Sequence, residues 1–176
     1  MRFLMILSLC VAPNVGFADA CTDRIAAQFD GGALDPFVRP AHRYVSTTTG
    51  PDGTVTSVYR AEFLSPAHSM GQTEGNPMQV LIIGSESWIR MSEDAAWMTA
   101  PNMVPTDHEG FLRAQRDQMR ANLSDTQCPG TADLDGQTYQ VFEYVTRTDA
   151  TEASNGAWFG GRNRVFIDPE NDRVMH

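Results

Sequence analysis

The sequence predicts an α+β fold that is mostly β, in which short helices accompany antiparallel strands. In residues 79–99, runs of β-branched and aromatic residues are separated by polar steps at 84–87 and 92–95, which is typical of a three-stranded meander. Residues 54–64 alternate between apolar and polar side chains, as a half-buried strand does. Residues 106–123 place apolar side chains along one side of a helix and arginines along the other. Such a helix covers something apolar.

The first twenty residues have the features of a cleaved signal peptide. Arg2 supplies a basic start, and residues 3–11 form an apolar stretch too short to span a bilayer. Ala18-Asp19-Ala20 then offers the small-x-small pattern of a cleavage site. We therefore expect cleavage after Ala20, export to the periplasm, and a mature domain comprising residues 21–176.

Two cysteines remain once the leader and its Cys10 are removed. In an oxidising compartment, Cys21 and Cys128 are expected to form one disulfide. The alternative is a lipid anchor at Cys21, because cleavage just before a cysteine is also how lipoproteins are made. Ala18 and Asp19 depart from the pattern expected ahead of a lipidated cysteine. A lipid anchor would also leave Cys128 unpaired, so the sequence favours the disulfide.

The composition of the chain bears on one class of function and on the number of domains. The chain has 13 basic and 22 acidic residues and a formal net charge of −9, which disfavours binding to nucleic acid. No Pro/Ser-rich linker or internal repeat divides residues 21–176, so we expect a single domain.

Candidate catalytic and metal-binding residues do not form a recognisable pattern. The chain has no Gly-x-Ser-x-Gly elbow, no His-Glu-x-x-His motif and no phosphate-binding glycine-rich loop, so no enzyme and no cofactor are predicted. His68, Met70 and Met78 could ligate a soft metal such as Cu(I), but their spacing matches no established ligand set. No metal site is therefore predicted.

The first elements of the mature chain are a helix and two strands. Thr22 can cap a short helix in which Ile25 and Phe29 lie on one face, and Gly31-Gly32 ends it. The Thr- and Val-rich residues 43–49 predict a strand, and the turn residues Gly50-Pro51-Asp52-Gly53 connect it to the strand at 54–64.

The prediction then continues through a frayed edge strand at His68–Gln72 and the meander. Thr106-x-x-Glu109 resembles a capping box at the start of the second helix, which Cys128-Pro129-Gly130 ends. Asp135-Gly136 signals a hairpin leading into a long strand, residues 137–148. A last strand is predicted at 164–167.

The order of these pieces resembles the outer-membrane lipoprotein-sorting (LolA/LolB-like) superfamily of periplasmic lipoprotein carriers. The resemblance runs from about Ile25 to Asp168 and rests on the order and spacing of several short motifs. These motifs are a strand opened by Pro66, Ile82-Ile83-Gly84, Trp88, an acidic turn, Trp97, Cys128-Pro129-Gly130, Leu134-Asp135-Gly136, Tyr139-x-Val141-x-Glu143-Tyr144 and Val165-Phe166-Ile167-Asp168-Pro169.

The resemblance implies an incomplete antiparallel β-barrel, a curved sheet with short helices covering its concave side. It also implies a periplasmic carrier or chaperone, expected to be a monomer, that binds a lipid or lipoprotein acyl chain. A membrane or periplasmic protein would then be a partner. In this interpretation ten apolar residues are candidates for the lining of the ligand cavity. They are Tyr59, Phe63, Leu81, Ile83, Trp88, Met91, Trp97, Phe111, Leu112 and Met119.

Two other interpretations remain open. The same apolar residues could form an ordinary core, since apolar periodicity alone indicates packing. A domain of this fold could also serve as a partner-binding or sensor module without a bound lipid. The chain stops soon after Asp168-Pro169, whereas the carriers continue into further strands, which predicts a smaller or more open barrel.

Overall fold

The structure, a computed structural model, describes residues 15–50, 52–150 and 156–175. Most of the predicted signal peptide, residues 1–14, lies outside the described residues. The described residues form two helices and ten strands. In chain order these are α1 Val15–Gln28, β1 His42–Thr49, β2 Val55–Ser65, β3 His68–Thr73, β4 Gln79–Ile83, β5 Glu86–Arg90, β6 Met98–Thr99, α2 His108–Ala121, β7 Ser124–Leu134, β8 Gln137–Arg147, β9 Gly160–Asp168 and β10 Arg173–Val174.

The strands form two antiparallel sheets. The first contains β1 to β6 in chain order, so each strand pairs with its neighbour in the sequence. The second has the order β10-β9-β8-β7 and is again a meander. Among the described residues these sheets do not join into a closed barrel. The predicted fold class, mostly β with few helices and an incomplete antiparallel barrel, is confirmed.

The main hydrophobic core lies between α1 and the four-stranded sheet. Ile25 is completely buried, and Phe29 meets Tyr144 of β8 edge to face with ring centroids 5.8 Å apart. Phe142 and Ile167 complete the sheet side of this cluster. The six-stranded sheet has a single buried apolar residue among those described, Ala61. The two sheets are therefore packed very differently.

A disulfide fixes α1 to β7. Cys21 and Cys128 are bonded in the structure, as predicted, with Cα atoms 5.8 Å apart. The Cys21 sulfur is used in this bond, and the alternative of a lipid on Cys21 would require it to be free. The helix begins at Val15 rather than at Thr22, so the predicted cleavage position after Ala20 falls inside it.

The prediction that His68–Gln72 forms an edge strand is wrong. β3 pairs with β2 on one side and with β4 on the other, so it lies inside the six-stranded sheet. Its polar side chains and the prolines near it suggested an edge. Strand pairing uses backbone groups, however, and β3 pairs on both sides whatever its side chains are, including at Gly71, which has none. The Tyr59 ring lies over Gly71, where an added Cβ would be 1.9 Å from the tyrosine hydroxyl oxygen.

The sequence prediction also missed β7. Cys128-Pro129-Gly130 lies within this strand, whereas α2 already ends at Ala121. The register shifts between Ser124 and Gln127 and again before Gly130, and these irregularities hide the strand's alternation. β7 is at the edge of its sheet, where a proline is tolerated. The hairpin at Asp135-Gly136 is confirmed, with both residues at positive φ.

The start of α2 is capped by Asp107 rather than by the predicted Thr106. One Asp107 carboxylate oxygen accepts a hydrogen bond of 2.9 Å from the Gly110 backbone N–H. Glu109 instead forms an ion pair with Arg113, one turn along the helix, at 2.7 Å. The predicted capping box Thr106-x-x-Glu109 is therefore wrong, because the cap lies one residue later, at Asp107.

Replacing Cys128 by serine should lower the free energy of unfolding. Bonding residues 107 positions apart restricts the unfolded chain, which is worth about 2–5 kcal/mol. Urea denaturation of Cys128→Ser and of the reduced wild type should give the same lowered midpoint. An unchanged midpoint in either sample would show that the bond contributes nothing to stability.

The two candidate caps of α2 can be separated by a matched pair of variants. Asp107→Ala should lower the free energy of unfolding by about 1 kcal/mol, because the Gly110 N–H loses its acceptor. Thr106→Ala should leave it within about 0.3 kcal/mol of the wild type, since it removes no cap. Thermal denaturation compares the two, and the opposite order would restore the Thr106 assignment.

Candidate functional site

The pairing register gives the six-stranded sheet two chemically distinct faces. One face, called here the charged face, carries three arginines and two glutamates, namely Arg43, Arg60, Glu62, Glu86 and Arg90. The opposite face, called the uncharged face, has no Arg, Asp or Glu among the paired residues. Its larger apolar members are Tyr44, Tyr59, Phe63, Val80, Ile82, Ile89 and Met98.

The ten predicted cavity residues do not share one lining. Tyr59 and Phe63 lie on the uncharged face. Leu81, Ile83 and Trp88 lie on the charged face, because Leu81 pairs directly with Trp88 between Gln79–Arg90 and Ile83–Glu86. Side chains on opposite faces of one sheet point away from each other. These five residues therefore cannot contact the same ligand in a single cavity.

Two further candidates follow β5 in the chain. Met91 is exposed, and the Arg90 guanidinium lies over the Trp97 ring at 4.7 Å from its centroid. This contact stabilises the connection to β6 through a cation–π interaction. Trp97 thus serves the local structure of the connection, next to a charged side chain.

The sequence prediction passed over Val80, Ile82 and Ile89, which belong to the uncharged face. Residues 80–83 are apolar on both faces, so alternation alone could not choose between them. The charged face could have been recognised from β5, where Glu86 and Arg90 each lie two residues from Trp88 and therefore on the same face of the strand.

A pocket of about 270 Å³ opens between the segment after α1, helix α2 and strands β8 and β9. We call it the α2 pocket. Its apolar walls come from six residues and its polar groups from five. The apolar wall residues are Phe29, Leu34, Pro36, Leu112, Met119 and the ring of Tyr144, and the polar ones are Arg39, Gln115, Arg116, Thr146 and Asn163. Leu112 and Met119 are therefore the two predicted cavity residues that the structure brings together here, and Phe111 is exposed beside them.

The first wall of the pocket is a tightly hydrogen-bonded loop. The buried Asp35 carboxylate accepts the backbone N–H groups of Gly31 at 3.1 Å and Phe37 at 2.9 Å. The Leu34 N–H donates to the Gln28 carbonyl at the end of α1. These bonds fold the loop back on itself, so that Leu34 enters the core. No periodic pattern marks this segment in the sequence, because the loop is organised by hydrogen bonds between side chains and the backbone.

Helix α2 is the second wall, and polar contacts hold both of its ends. At its start, the ring Nδ1 of buried His108 is 2.8 Å from the Gly84 carbonyl oxygen in the turn between β4 and β5. At its end, Thr146 of β8 donates to the Met119 carbonyl, and the Asn122 amide donates to the Arg147 carbonyl at 3.0 Å. Met119 and Leu112 on the inner side of α2 are half-buried.

Two guanidinium groups line the pocket, and they have different partners. Arg116 forms ion pairs with Asp35 at 3.3 Å and with Asp117 at 2.8 Å. The hydrogen bond that Arg116 donates to Asp117 is the main cause that raises the pKa of Arg116. Arg39 donates its Nε–H to the Ala33 carbonyl at 2.8 Å, and no carboxylate of the described residues lies within 4 Å of it. Burial lowers the pKa of Arg39.

Tyr144 adds a neutral hydroxyl to the same pocket. Burial raises the pKa of this phenol to about 12, and the nearby positive charge of Arg39 opposes that rise only in part. The hydroxyl is therefore protonated at neutral pH. The pocket thus combines apolar walls with hydrogen-bond donors and two cations, a composition suited to binding an amphiphilic molecule.

The part of the chain that the structure describes contains no group of three or more His, Cys, Asp or Glu residues that could hold a metal ion. None of its helices combines the length and apolar character needed to cross a membrane.

The comparisons with known proteins concern the fold. No family model matches the chain, and no curated protein matches its sequence. Among solved structures, the Mycobacterium tuberculosis lipoprotein LppX is similar, with a TM-score of 0.52 and 15% identity over 89% of this chain and 85% of that chain.

Two further structures match with lower TM-scores. A LolA superfamily protein from Nitrosomonas europaea has a TM-score of 0.29 and 13% identity over 89% of this chain and 68% of its own. A DUF1329 family protein from Desulfovibrio piger has a TM-score of 0.30 and 10% identity, covering 90% and 71%. On the likeness to LppX, the chain has an LppX-like fold, which agrees with the fold that its resemblance to the lipoprotein-carrier superfamily implies.

Proposed function

We propose that the protein is an exported carrier or chaperone that binds an acyl chain or a similar apolar ligand in the α2 pocket. The observation that supports this function is the apolar lining of a pocket bounded by an amphipathic helix. Transfer of hydrocarbon from water into such a site is favourable by about 0.8 kcal/mol per CH₂ group. Flexible Met119 can adapt to chains of different shape.

Export is part of the same proposal. The Cys21–Cys128 disulfide favours an oxidising compartment, in agreement with the leader expected from residues 1–20. A carrier in the periplasm would take its ligand from one apolar environment and release it to another, such as a membrane or a second periplasmic protein. We expect the protein to act as a monomer.

The pocket can exchange a ligand if α2 moves relative to β8. The helix is attached to the remainder of the protein by hydrogen bonds at both ends, by an ion pair between Arg116 and Asp35, and by an ion pair of 3.4 Å between Arg120 and Asp30. The exposed Arg120–Asp30 pair contributes little to stability, about 0–1 kcal/mol. The Arg116–Asp35 pair is largely buried, so opening at α2 has to separate this pair.

A neighbouring pair of residues on α2 tests the proposed site. Leu112→Glu should remove the bound apolar ligand, because it places a carboxylate in the apolar wall. Phe111→Glu should leave ligand binding unchanged, since Phe111 is 43% exposed and does not line the pocket. Native mass spectrometry of protein isolated from a periplasmic extract without detergent, followed by lipid analysis, measures occupancy in each variant.

The same experiment can contradict the proposal in two ways. A wild-type protein without any apolar ligand, and without affinity for an added fatty acid or alcohol, would exclude a carrier function for the pocket. Equal occupancy in Leu112→Glu and Phe111→Glu would place the ligand elsewhere on the protein.

A partner-binding domain of the same fold is the second candidate, and the uncharged face of the six-stranded sheet favours it. Tyr44 and Tyr59 lie on the neighbouring strands β1 and β2 of this face, and each is exposed by more than a third. Exposed apolar residues that adjoin each other are typical of interaction surfaces. If the purified protein binds no apolar ligand, Tyr44→Asp and Tyr59→Asp become the variants with which a loss of partner binding would be measured.

A further inference from the structure

The α2 pocket holds one cation without an ion-pair partner among the described residues. Arg116 shares the pocket and forms ion pairs with both Asp35 and Asp117. Arg39 forms none, although its side chain is partly buried; burial lowers its pKa, and the charge of Asp35 opposes that effect only in part. Taking a charge out of water without an opposing charge is unfavourable. A bound anion would remove this cost.

The geometry of Arg39 leaves its donors available. A guanidinium has five N–H groups, and the described residues accept one of them, the Nε–H bonded to the Ala33 carbonyl. No buried side-chain nitrogen among the described residues lacks a partner, so the Nη groups are reached from the pocket or from solvent. The Nε bond fixes the orientation of the planar group. Two parallel N–H groups on one edge of a guanidinium match the two oxygens of a carboxylate.

Asp35 accepts no hydrogen bond from Arg39, although its charge acts on the guanidinium. The two Asp35 oxygens accept from Gly31, Phe37 and Arg116, so the carboxylate is held at the loop. The neutral hydroxyl of Tyr144 provides a further donor that does not add charge. The Nη groups of Arg39 and the hydroxyl of Tyr144 are therefore available to donate hydrogen bonds to an anion that enters the pocket.

The size of the pocket limits what is attached to that anion. A volume of about 270 Å³ lies just below the range of about 300–1,000 Å³ that is typical of ligand sites. Such a pocket accommodates one hydrocarbon chain along Leu34, Leu112 and Met119. It does not accommodate several chains side by side, as the lipid of a multiply acylated molecule would require.

We propose that the α2 pocket binds a single-chain fatty acid, with its carboxylate on the Arg39 guanidinium and its tail against Leu34, Leu112 and Met119. This inference rests on the proposed carrier function and names its ligand class. The net charge of −9 gives the whole protein no general attraction for anions, so the preference for a carboxylate arises locally at Arg39.

The test compares two ligands that differ only at the head. Equilibrium dialysis of the purified, disulfide-bonded protein at pH 7 measures the binding of radiolabelled dodecanoate and of 1-dodecanol. Wild-type protein should bind the acid at least about tenfold more tightly, the amount expected from charge-assisted hydrogen bonds. Arg39→Met should bind both with the affinity that the wild type shows for the alcohol.

Two controls make the result specific to Arg39. Arg43→Met removes an arginine whose side chain is 85% exposed on the charged face of the sheet, so it should keep the wild-type preference. Arg39→Lys keeps the charge but not the planar pair of donors, so it should show an intermediate preference. Equal thermal stability of the Arg39 and Arg43 variants would show that the comparison is made between folded proteins.

Each alternative result has a distinct meaning. Equal binding of acid and alcohol by the wild type would overturn the head-group inference and leave the carrier function in place. A preference that survives in Arg39→Met, or that is lost equally in Arg43→Met, would also overturn the assignment to Arg39. Binding of neither ligand by the wild type would contradict both the inference and the proposed function.

Discussion

The packing of α1 against the four-stranded sheet is the contact on which the arrangement of the site depends. Ile25 and Phe29 bury the inner face of the helix, and the disulfide from Cys21 fixes its start to β7. The loop that follows α1 then has one fixed end, and Asp35 closes it by accepting two backbone N–H groups. Leu34 and Arg39 reach the α2 pocket because this loop is held in place.

The six-stranded sheet obeys a different constraint. Its strands are joined by continuous backbone pairing, but its side chains add little to the buried core. Arginine and glutamate residues on one face make ion pairs across strands, such as Arg43 with Glu62. The other face carries Tyr59 over Gly71 and is free of Arg, Asp and Glu. A sheet with one charged and one uncharged face is suited to enclosing an apolar space on one side.

Local patterns predicted those parts of the fold in which each residue's role depends on its near neighbours. The alternation of residues 54–64, the turn at Asp135-Gly136 and the amphipathic helix α2 were all recognisable in this way. β7 was not, because its bulges break the alternation on which the prediction relies. β3 was placed at an edge because its composition is polar, whereas its position is decided by pairing with β2 and β4.

The site was harder to predict than the fold for a physical reason. The size and periodicity of apolar residues predict that they are buried, but not which face of a sheet they occupy when both faces are apolar, as at Leu81 and Ile83. Arg39 and Asp35 lie in an irregular segment in which no periodicity exists. Their importance follows from partners distant in the sequence, since Asp35 pairs with Arg116 on another element.

The distribution of charge in the pocket connects these observations. Asp35 lies in the same loop as Arg39 and attracts its charge, but the two side chains form no ion pair. The Asp35 oxygens instead accept from Arg116 and the loop backbone, and Asp117 shares Arg116 from the exposed side. The pair between Asp35 and Arg116 therefore does two things: it attaches α2 to the loop, and it leaves Arg39 without an ion-pair partner. An anionic ligand at Arg39 would thus bind next to the contact that holds α2 in place, which couples occupancy of the pocket to the position of its helix.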